Sequence, residues 1–433
     1  MSVPESDLIG VGAGPANLSL AALLASARER GLTSIGSTFL ERNPAVFWHS
    51  GQMFPGALMQ TEFYRDLVTP IDPTSRFTFL NYLKSNGRID QFFCSSTIYP
   101  PRREFEDYFN WVAKQLPDII FSTNVGLVDF DPDRLLFIID AENETRQRKR
   151  YEARNIVLGC GPSPNVDVSK AQSGRVVDVS NLLNCTLPSP LHRVLVVGGG
   201  QSAAECVNFL LDLKSAAVLQ IKWVTSETAF RALDIGNFSR ETYSASFPRA
   251  FARLPEPLRR KTIDEEKNVS NGITPSIAQG LYQRLYRLRH LKNSGPAGSS
   301  VSMHPNTEVL EIRDEMHGAA VTARVLATGE TSVEVYDLVI LCTGFDDRSV
   351  FEAALIGDEL RRRISMNEDP CGYAIAWDGP EDRMIFVQSQ NKKSHGIGDA
   401  NFISAPGRNA SILNAVTRKE IYKIDEDDKL VSL

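Results

Sequence analysis

Two glycine-rich turns limit what this chain can fold into. The first, Gly12-Ala13-Gly14-Pro15-Ala16-Asn17, follows the apolar run Leu8-Ile9-Gly10-Val11. The second, Gly198-Gly199-Gly200-Gln201-Ser202-Ala203, follows Val194-Leu195-Val196-Val197. Each run reads as a buried strand and each turn opens an apolar helix, the pattern of a dinucleotide-binding βαβ unit. The first glycine allows the tight turn and the second lets the backbone approach a pyrophosphate. The helix that follows aims its unpaired N–H groups and positive dipole end at the phosphates. Gly12, Gly14, Pro15 and Asn17 are therefore candidates for one cofactor site, and Gly198, Gly200, Gln201 and Ser202 for another. Two such cradles imply two nucleotide cofactors that must meet, and a tightly held flavin with a visiting nicotinamide is the pair that fits. Asn17 and Ala203 stand where a third glycine is usual; alanine is an accepted replacement, asparagine a departure.

A dinucleotide site also wants a carboxylate at the end of its second strand, to accept bonds from ribose hydroxyls. Ser37-Thr38-Phe39-Leu40-Glu41 supplies Glu41, farther from Gly12 than the usual gap of about 20 residues. At the second cradle the matching strand is Gln220 to Val224, followed by Thr225-Ser226-Glu227-Thr228. An NADP site usually places an arginine there for the 2′-phosphate. None stands at that turn, Glu227 would repel a phosphate, and Arg231 is close enough in sequence to reach it. The residues alone leave NADPH and NADH both open.

At 433 residues the chain exceeds a single core and suits two or three domains. The expected division is an α/β fold with two Rossmann-like domains. Residues 1–190 and 335–433 form a discontinuous FAD domain, and 191–334 an NAD(P)H domain of which 230–291 contributes the substrate-binding region. A net charge of −6 argues against a nucleic-acid surface. No apolar run reaches the roughly 18–20 residues that span a bilayer, and Met1 to Asp7 carry no signal-peptide pattern, so a cytoplasmic protein is expected. Cys94, Cys160, Cys185, Cys206, Cys342 and Cys371 show neither a Cys-x-x-Cys pair nor zinc-type spacing with the histidines, so no metal is expected. Cys160, Cys206 and Cys342 lie in apolar patterns and read as buried thiols. The polar segment from Phe230 to Asn271 is too long for a plain connection. A long helix is expected over 275–291. Residues 337–345 read as a strand mirroring 157–161, the two forming paired returns to the flavin domain.

The motifs Gly12-x-Gly14-Pro15-x-Asn17-Leu18, Phe47-Trp48-His49, Met59-Gln60-Thr61, Asp66-Leu67-Val68 and Arg102-x-Glu104-Phe105 occur in order along the chain. They continue through Gly198 to Ser202, Asn271-Gly272-Ile273-Thr274, Thr343-Gly344-Phe345 and Ser394-His395-Gly396-Ile397. Together they resemble the flavin-dependent N-hydroxylating monooxygenases, including the lysine and ornithine side-chain hydroxylases of siderophore assembly. Asparagine in place of the third glycine is itself a mark of that group. The resemblance implies that NAD(P)H reduces FAD, O₂ adds to the reduced ring, and one oxygen is transferred to an unprotonated primary amine. A free lysine amine titrates near ~10.4, so the pocket must favour the neutral form, which desolvation does without a dedicated base.

The resemblance places Met59 and Gln60 beside the flavin ring, Trp48 and His49 near it, and Phe402 to Ser404 as backbone contacts. It puts Arg102 at the junction of the flavin and substrate regions and Thr343-Gly344 at the cofactor. Arg65 stands where ornithine enzymes carry a carboxylate-binding lysine, and Asp234 where they carry an asparagine. Asn271 matches the residue that touches the reacting amine or a nicotinamide-side neighbour. The tail resembles lysine hydroxylases more closely than ornithine ones, which makes lysine the first expectation, then cadaverine or putrescine, then ornithine. The resemblance also implies a homotetramer. A degenerate flavoprotein acting as a scaffold is the rival reading.

Overall fold

The computed structural model describes residues 5–165, 174–213, 218–291, 299–315, 317–346, 355–368, 373–389 and 392–424. Among them two parallel sheets dominate, one behind each cradle. In the first, Ser6–Val11 lies between Ser37–Leu40 and Arg148–Leu158, with Ile119–Ile120 and Ile385–Val387 extending the parallel array. Leu136–Asn143 and Thr123–Asp131 continue it as an antiparallel ribbon. In the second, the order is Ser300–His304, Gln220–Val224, Arg193–Val197, Leu338–Leu341, Val176–Asp178. Its central strands are apolar on both faces, as in a sheet covered on both sides.

The two halves repeat one local construction. Gly12 takes φ +85° and donates its N–H to Leu40 O at 2.8 Å, while Gly159 N donates to Val11 O at 2.8 Å. Gly198 takes φ +131° and donates to Val224 O at 2.8 Å, while Cys342 N donates to Val197 O at 2.7 Å. A Cβ on Gly12 would stand 2.6 Å from Gly159 O, and one on Gly198 would stand 2.1 Å from Cys342 O. Both positions thus exclude any side chain, by conformation and by the carbonyl that closes the next strand.

The second sheet reaches beyond the expected boundaries at 190/191 and 334/335, since Val176–Asp178 and Leu338–Leu341 both belong to it. The strand read as a return to the flavin half is therefore a central strand of the other half. The strand that does rejoin the first sheet is Ile385–Val387, paired with Ile156 to Leu158. An apolar run reports burial but not which sheet buries it.

The first core forms where the helix Pro15–Glu29, the helix Ala405–Thr417 and the amphipathic helix Arg102–Ala113 meet, around Phe77, Phe79, Phe105, Tyr108 and Phe109. The long helix is Pro275–His290, as expected. Residues 230–271 fold as short helical pieces, among them Phe247–Ala252 and Glu256–Glu265. This insertion reaches back to the first half: Tyr243 and Val269 pack on Ile403, and Arg240 pairs with Glu62. Cys206 and Cys342 are buried, but Cys160 is exposed, because its strand ends at Leu158 and the chain leaves the sheet there. Cys371 lies outside the described residues.

Candidate active site

Both cradles fit a dinucleotide. A Cβ on Gly14 or Gly200 would meet no protein atom within 4 Å, so these two glycines face open space. The helices Pro15–Glu29 and Gln201–Asp212 have no side-chain N-cap and no acidic residue in the first turn. Their leading N–H groups are left for an anion. Pro15, at the first turn, has no N–H to leave unpaired. The Thr343 hydroxyl is buried and has no hydrogen-bond partner among the described residues, and Gly344 beside it takes φ +81°. These residues would hold FAD in the first half and NADPH in the second.

Asn17 replaces the third glycine for a structural reason. Its Nδ2 donates to Gly12 O at 2.8 Å and to Val11 O at 3.2 Å, and its Oδ1 accepts from Gln388 Nε2 at 3.2 Å. The side chain fills the space against Gly159, where a Cβ would come within 2.5 Å of Nδ2. Asn17 thus stitches the cradle to the strand end on one side and to the C-terminal part on the other. Glu41 is buried at the end of its strand; Oε2 accepts Ala13 N–H at 2.8 Å and Oε1 accepts Asn43 N–H at 2.9 Å. Its carboxylate fixes the cradle backbone while standing where ribose hydroxyls are expected.

At the seam between the halves, Trp48 packs edge-on against Phe109 at 5.3 Å and faces Phe402 at 6.4 Å, with Met59 in the same core. Ser404, two residues beyond Phe402, is buried. His49 adopts φ 55° beside Trp48, the two ring centres 4.7 Å apart. Desolvation, followed by the Arg102 charge, holds its pKa down at about 4, so it is neutral at physiological pH. Arg102 starts its helix and points into the other half: Nη2 reaches both carboxylate oxygens of Glu205, at 3.0 and 3.1 Å.

A small cavity opens beside this seam. Gln60, Asp234, Arg240, Tyr243, Ser270 and Asn401 supply its polar lining, and Leu233, Ile235, Val269 and Ile403 its apolar walls. The structure brings Gln60 and Asp234 together there. Arg65 and Asn271 do not line it. Arg65 turns its Nε to Glu62 Oε2 at 3.4 Å, and Asn271 is exposed at the end of the short helix Lys267–Ser270. The cation that does line the cavity is Arg240, missed in the sequence. It pairs through both terminal nitrogens with the buried Glu62, Nη2 donating to Oε2 at 2.7 Å. With Arg65 on the same carboxylate, two guanidinium charges face one anion and leave one net positive charge. Asp234 is exposed at the edge of the cavity and accepts Gly236 N–H at 2.8 Å and Ser239 Oγ–H at 2.7 Å. Those hydrogen bonds, Ser239 first, keep its pKa below the usual carboxylate value. Tyr243 donates to Val269 O at 2.8 Å, and burial raises its pKa to about 12, so it stays neutral.

Around the second cradle, Gln201 and Ser202 turn their side chains inward, to Glu205 and Thr274 and to Gln52 respectively. Arg231 is exposed and donates to Thr228 Oγ1 at 3.2 Å, which brings it to the turn after Val224. Glu227, expected to repel a 2′-phosphate, is paired with Lys267 at 3.0 Å. The local charge is therefore balanced rather than negative.

Comparison with known proteins decides the class. Residues 5–347 match the family described as L-lysine 6-monooxygenase/L-ornithine 5-monooxygenase. This chain belongs to that family. It is similar to the L-lysine N6-monooxygenase of Escherichia coli, 31% identical over 98% of this chain and 97% of the relative. In structure it resembles the cadaverine monooxygenase of desferrioxamine biosynthesis from Erwinia amylovora, solved bound to FAD. The TM-score is 0.86 at 25% identity, covering 100% of this chain and 99% of that one. It equally resembles the ornithine N-hydroxylase of Kutzneria sp. 744, solved with reduced FAD, NADP+ and L-ornithine. There the TM-score is 0.86 at 26% identity, over 96% of this chain and 99% of that one. The family is flavin-dependent and N-monooxygenating, with FAD and NADPH as cofactors, and its members divide by amine. Among the described residues no helix is long and apolar enough to cross a membrane.

Proposed function

We propose that this enzyme N-hydroxylates the terminal amine of L-lysine, using NADPH and O₂ and giving a hydroxylamine for siderophore or related assembly. The observation that carries this reading is the pair of opposite charges on one cavity, Arg240 held by Glu62 and Asp234 at the edge. An α-amino acid head is a zwitterion: its carboxylate suits Arg240 and its ammonium suits Asp234. A diamine would bring its second ammonium toward Arg240, a like-charge contact that costs binding. The chain's similarity to a lysine enzyme favours lysine over ornithine.

When bound, FAD reduced by NADPH supplies the activated oxygen, and this chain's residues prepare the amine for it. Leu233, Ile235, Val269 and Ile403 desolvate the substrate chain, which lowers the amine's pKa and favours the nucleophilic neutral form. Gln60 is neutral and offers both a donor and an acceptor to the reacting nitrogen. Tyr243, protonated and committed to Val269 O, shapes the cavity without taking a proton.

The test is a panel of lysine, ornithine, cadaverine and putrescine scored for hydroxylamine as well as NADPH consumption. Lysine should give product in near-unit ratio to NADPH consumed. Product from cadaverine with none from lysine would overturn the amino-acid reading, and NADPH oxidation no faster than with free flavin would support a scaffold instead.

A further inference from the structure

We infer that Arg102 and Glu205 form a latch that sets the angle between the two dinucleotide halves, acting as positioning residues for flavin reduction. Arg102 begins the helix Arg102–Ala113, whose Phe105, Tyr108 and Phe109 belong to the core of the first half. Glu205 lies one turn into Gln201–Asp212, whose Ala203, Ala204, Cys206 and Val207 belong to the core of the second. The pair joins two cores separately anchored in different sheets. Arg102 and Glu205 are 8% and 4% exposed, and the guanidinium Nη2 bonds both carboxylate oxygens.

Further bonds make the pair a junction. Arg102 Nη1 donates to Gln52 O at 2.9 Å, and Gln52 Oε1 accepts from Ser202 Oγ at 3.0 Å. Gln201 Nε2 donates to Glu205 Oε1 at 2.8 Å, and Gln201 Oε1 accepts from Thr274 N at 2.8 Å. Thr274 precedes the helix Pro275–His290, so the network reaches from the flavin half through the second cradle's helix to the substrate insertion. Gly51 approaches so closely that a Cβ would stand 2.0 Å from Ser180 O. A buried ion pair contributes little net stability once desolvation is counted, whereas its direction-dependent bonds favour one orientation. The pair lies at the opening of the helix that receives the nicotinamide nucleotide's pyrophosphate, so a small change of angle there moves the far end of that nucleotide most.

The prediction separates binding from reduction. In Glu205→Gln the cradle backbone is intact, so the KM for NADPH should change less than threefold. The anaerobic rate of flavin bleaching by NADPH should fall at least tenfold, because the halves no longer hold the angle. In the cofactor-free protein, amide exchange over residues 50–57 and 201–205 should quicken at least tenfold, while exchange in strands Ser6–Val11 and Arg193–Val197 stays unchanged. Should Glu205→Gln fold poorly, Arg102→Gln/Glu205→Gln leaves no lone buried charge and should show the same slow bleaching. Wild-type bleaching in either variant overturns the latch. So does a raised KM at unchanged rate, which would assign the pair to shaping the cradle alone.

Discussion

Replacing Arg240 by glutamine tests the cavity chemistry most directly, provided folding and binding are kept apart. Arg240 is the larger partner of Glu62, a carboxylate 4% exposed, and Arg65 at 3.4 Å is the partner left behind. Arg240→Gln alone leaves Glu62 with half of its compensation; complete loss of a buried partner costs about 3–5 kcal/mol, so this variant should melt lower by a part of that. The double variant Glu62→Gln/Arg240→Gln removes the buried anion as well and should recover most of that stability. Binding is a separate quantity. Two of the five guanidinium N–H donors serve Glu62, leaving others for a substrate carboxylate. A charge-assisted bond contributes about 1.5–3 kcal/mol, so kcat/KM for lysine should fall about 13- to 160-fold in the double variant. Cadaverine has the same amine and chain without the carboxylate, and its kcat/KM should hold or rise, because losing Arg240 removes the like-charge contact. The assay is hydroxylamine formed at limiting substrate, with NADPH consumption followed in parallel. An equal loss for lysine and cadaverine would refute a carboxylate contact and assign Arg240 to the architecture of the insertion. An undiminished lysine rate in a well-folded double variant would refute it outright.

Other outcomes follow from the same geometry. Asn17→Ala removes the donor to Gly12 O, leaves Val11 O only its bond from Gly159 N–H, and breaks the link to Gln388, which should lower stability by about 1–3 kcal/mol in a denaturant titration and weaken flavin retention. Gly14→Ala meets no protein atom, so the apoprotein should melt normally while FAD uptake falls, a contrast that a merely structural glycine would not give. His49 has a folded pKa near 4 against about 6.5 unfolded, so the unfolded chain binds more protons between those values. Stability should therefore fall as pH drops from 6.5 toward 4, and His49→Asn should flatten this slope relative to wild type. Because Tyr243 stays protonated, Tyr243→Phe should leave the rise of kcat/KM with pH in place; its loss would make the phenol the proton acceptor.

What could be read from the residues, and what could not, divides by distance along the chain. A glycine at positive φ, an apolar run and an uncapped helix start are local requirements, so both cradles and Glu41 were legible, down to which glycines face open space. Asn17 was legible as a departure but not as a stitch, because its partner Gln388 comes from the far end of the chain. Arg65 stood in the expected motif, yet the anion that holds it, Glu62, also recruits Arg240 from an insertion of short helical pieces with no periodic pattern. One carboxylate can orient two arginines, and only the packing of the insertion decides which of them faces the cavity. The same logic hid Glu205, whose partner Arg102 comes from the other half, 103 residues away in the chain. The coenzyme cradles are thus written in short stretches, whereas the cavity proposed to take the amine and the junction between the halves are written in pairs of distant charges. Relatives named for lysine, cadaverine and ornithine keep the same overall fold or length at 25–31% identity. Substitutions at Glu62, Arg65, Asp234 and Arg240 should accordingly change which amine is accepted before they change whether flavin is held, and an Arg240 variant that lost FAD while keeping its amine preference would reverse that order.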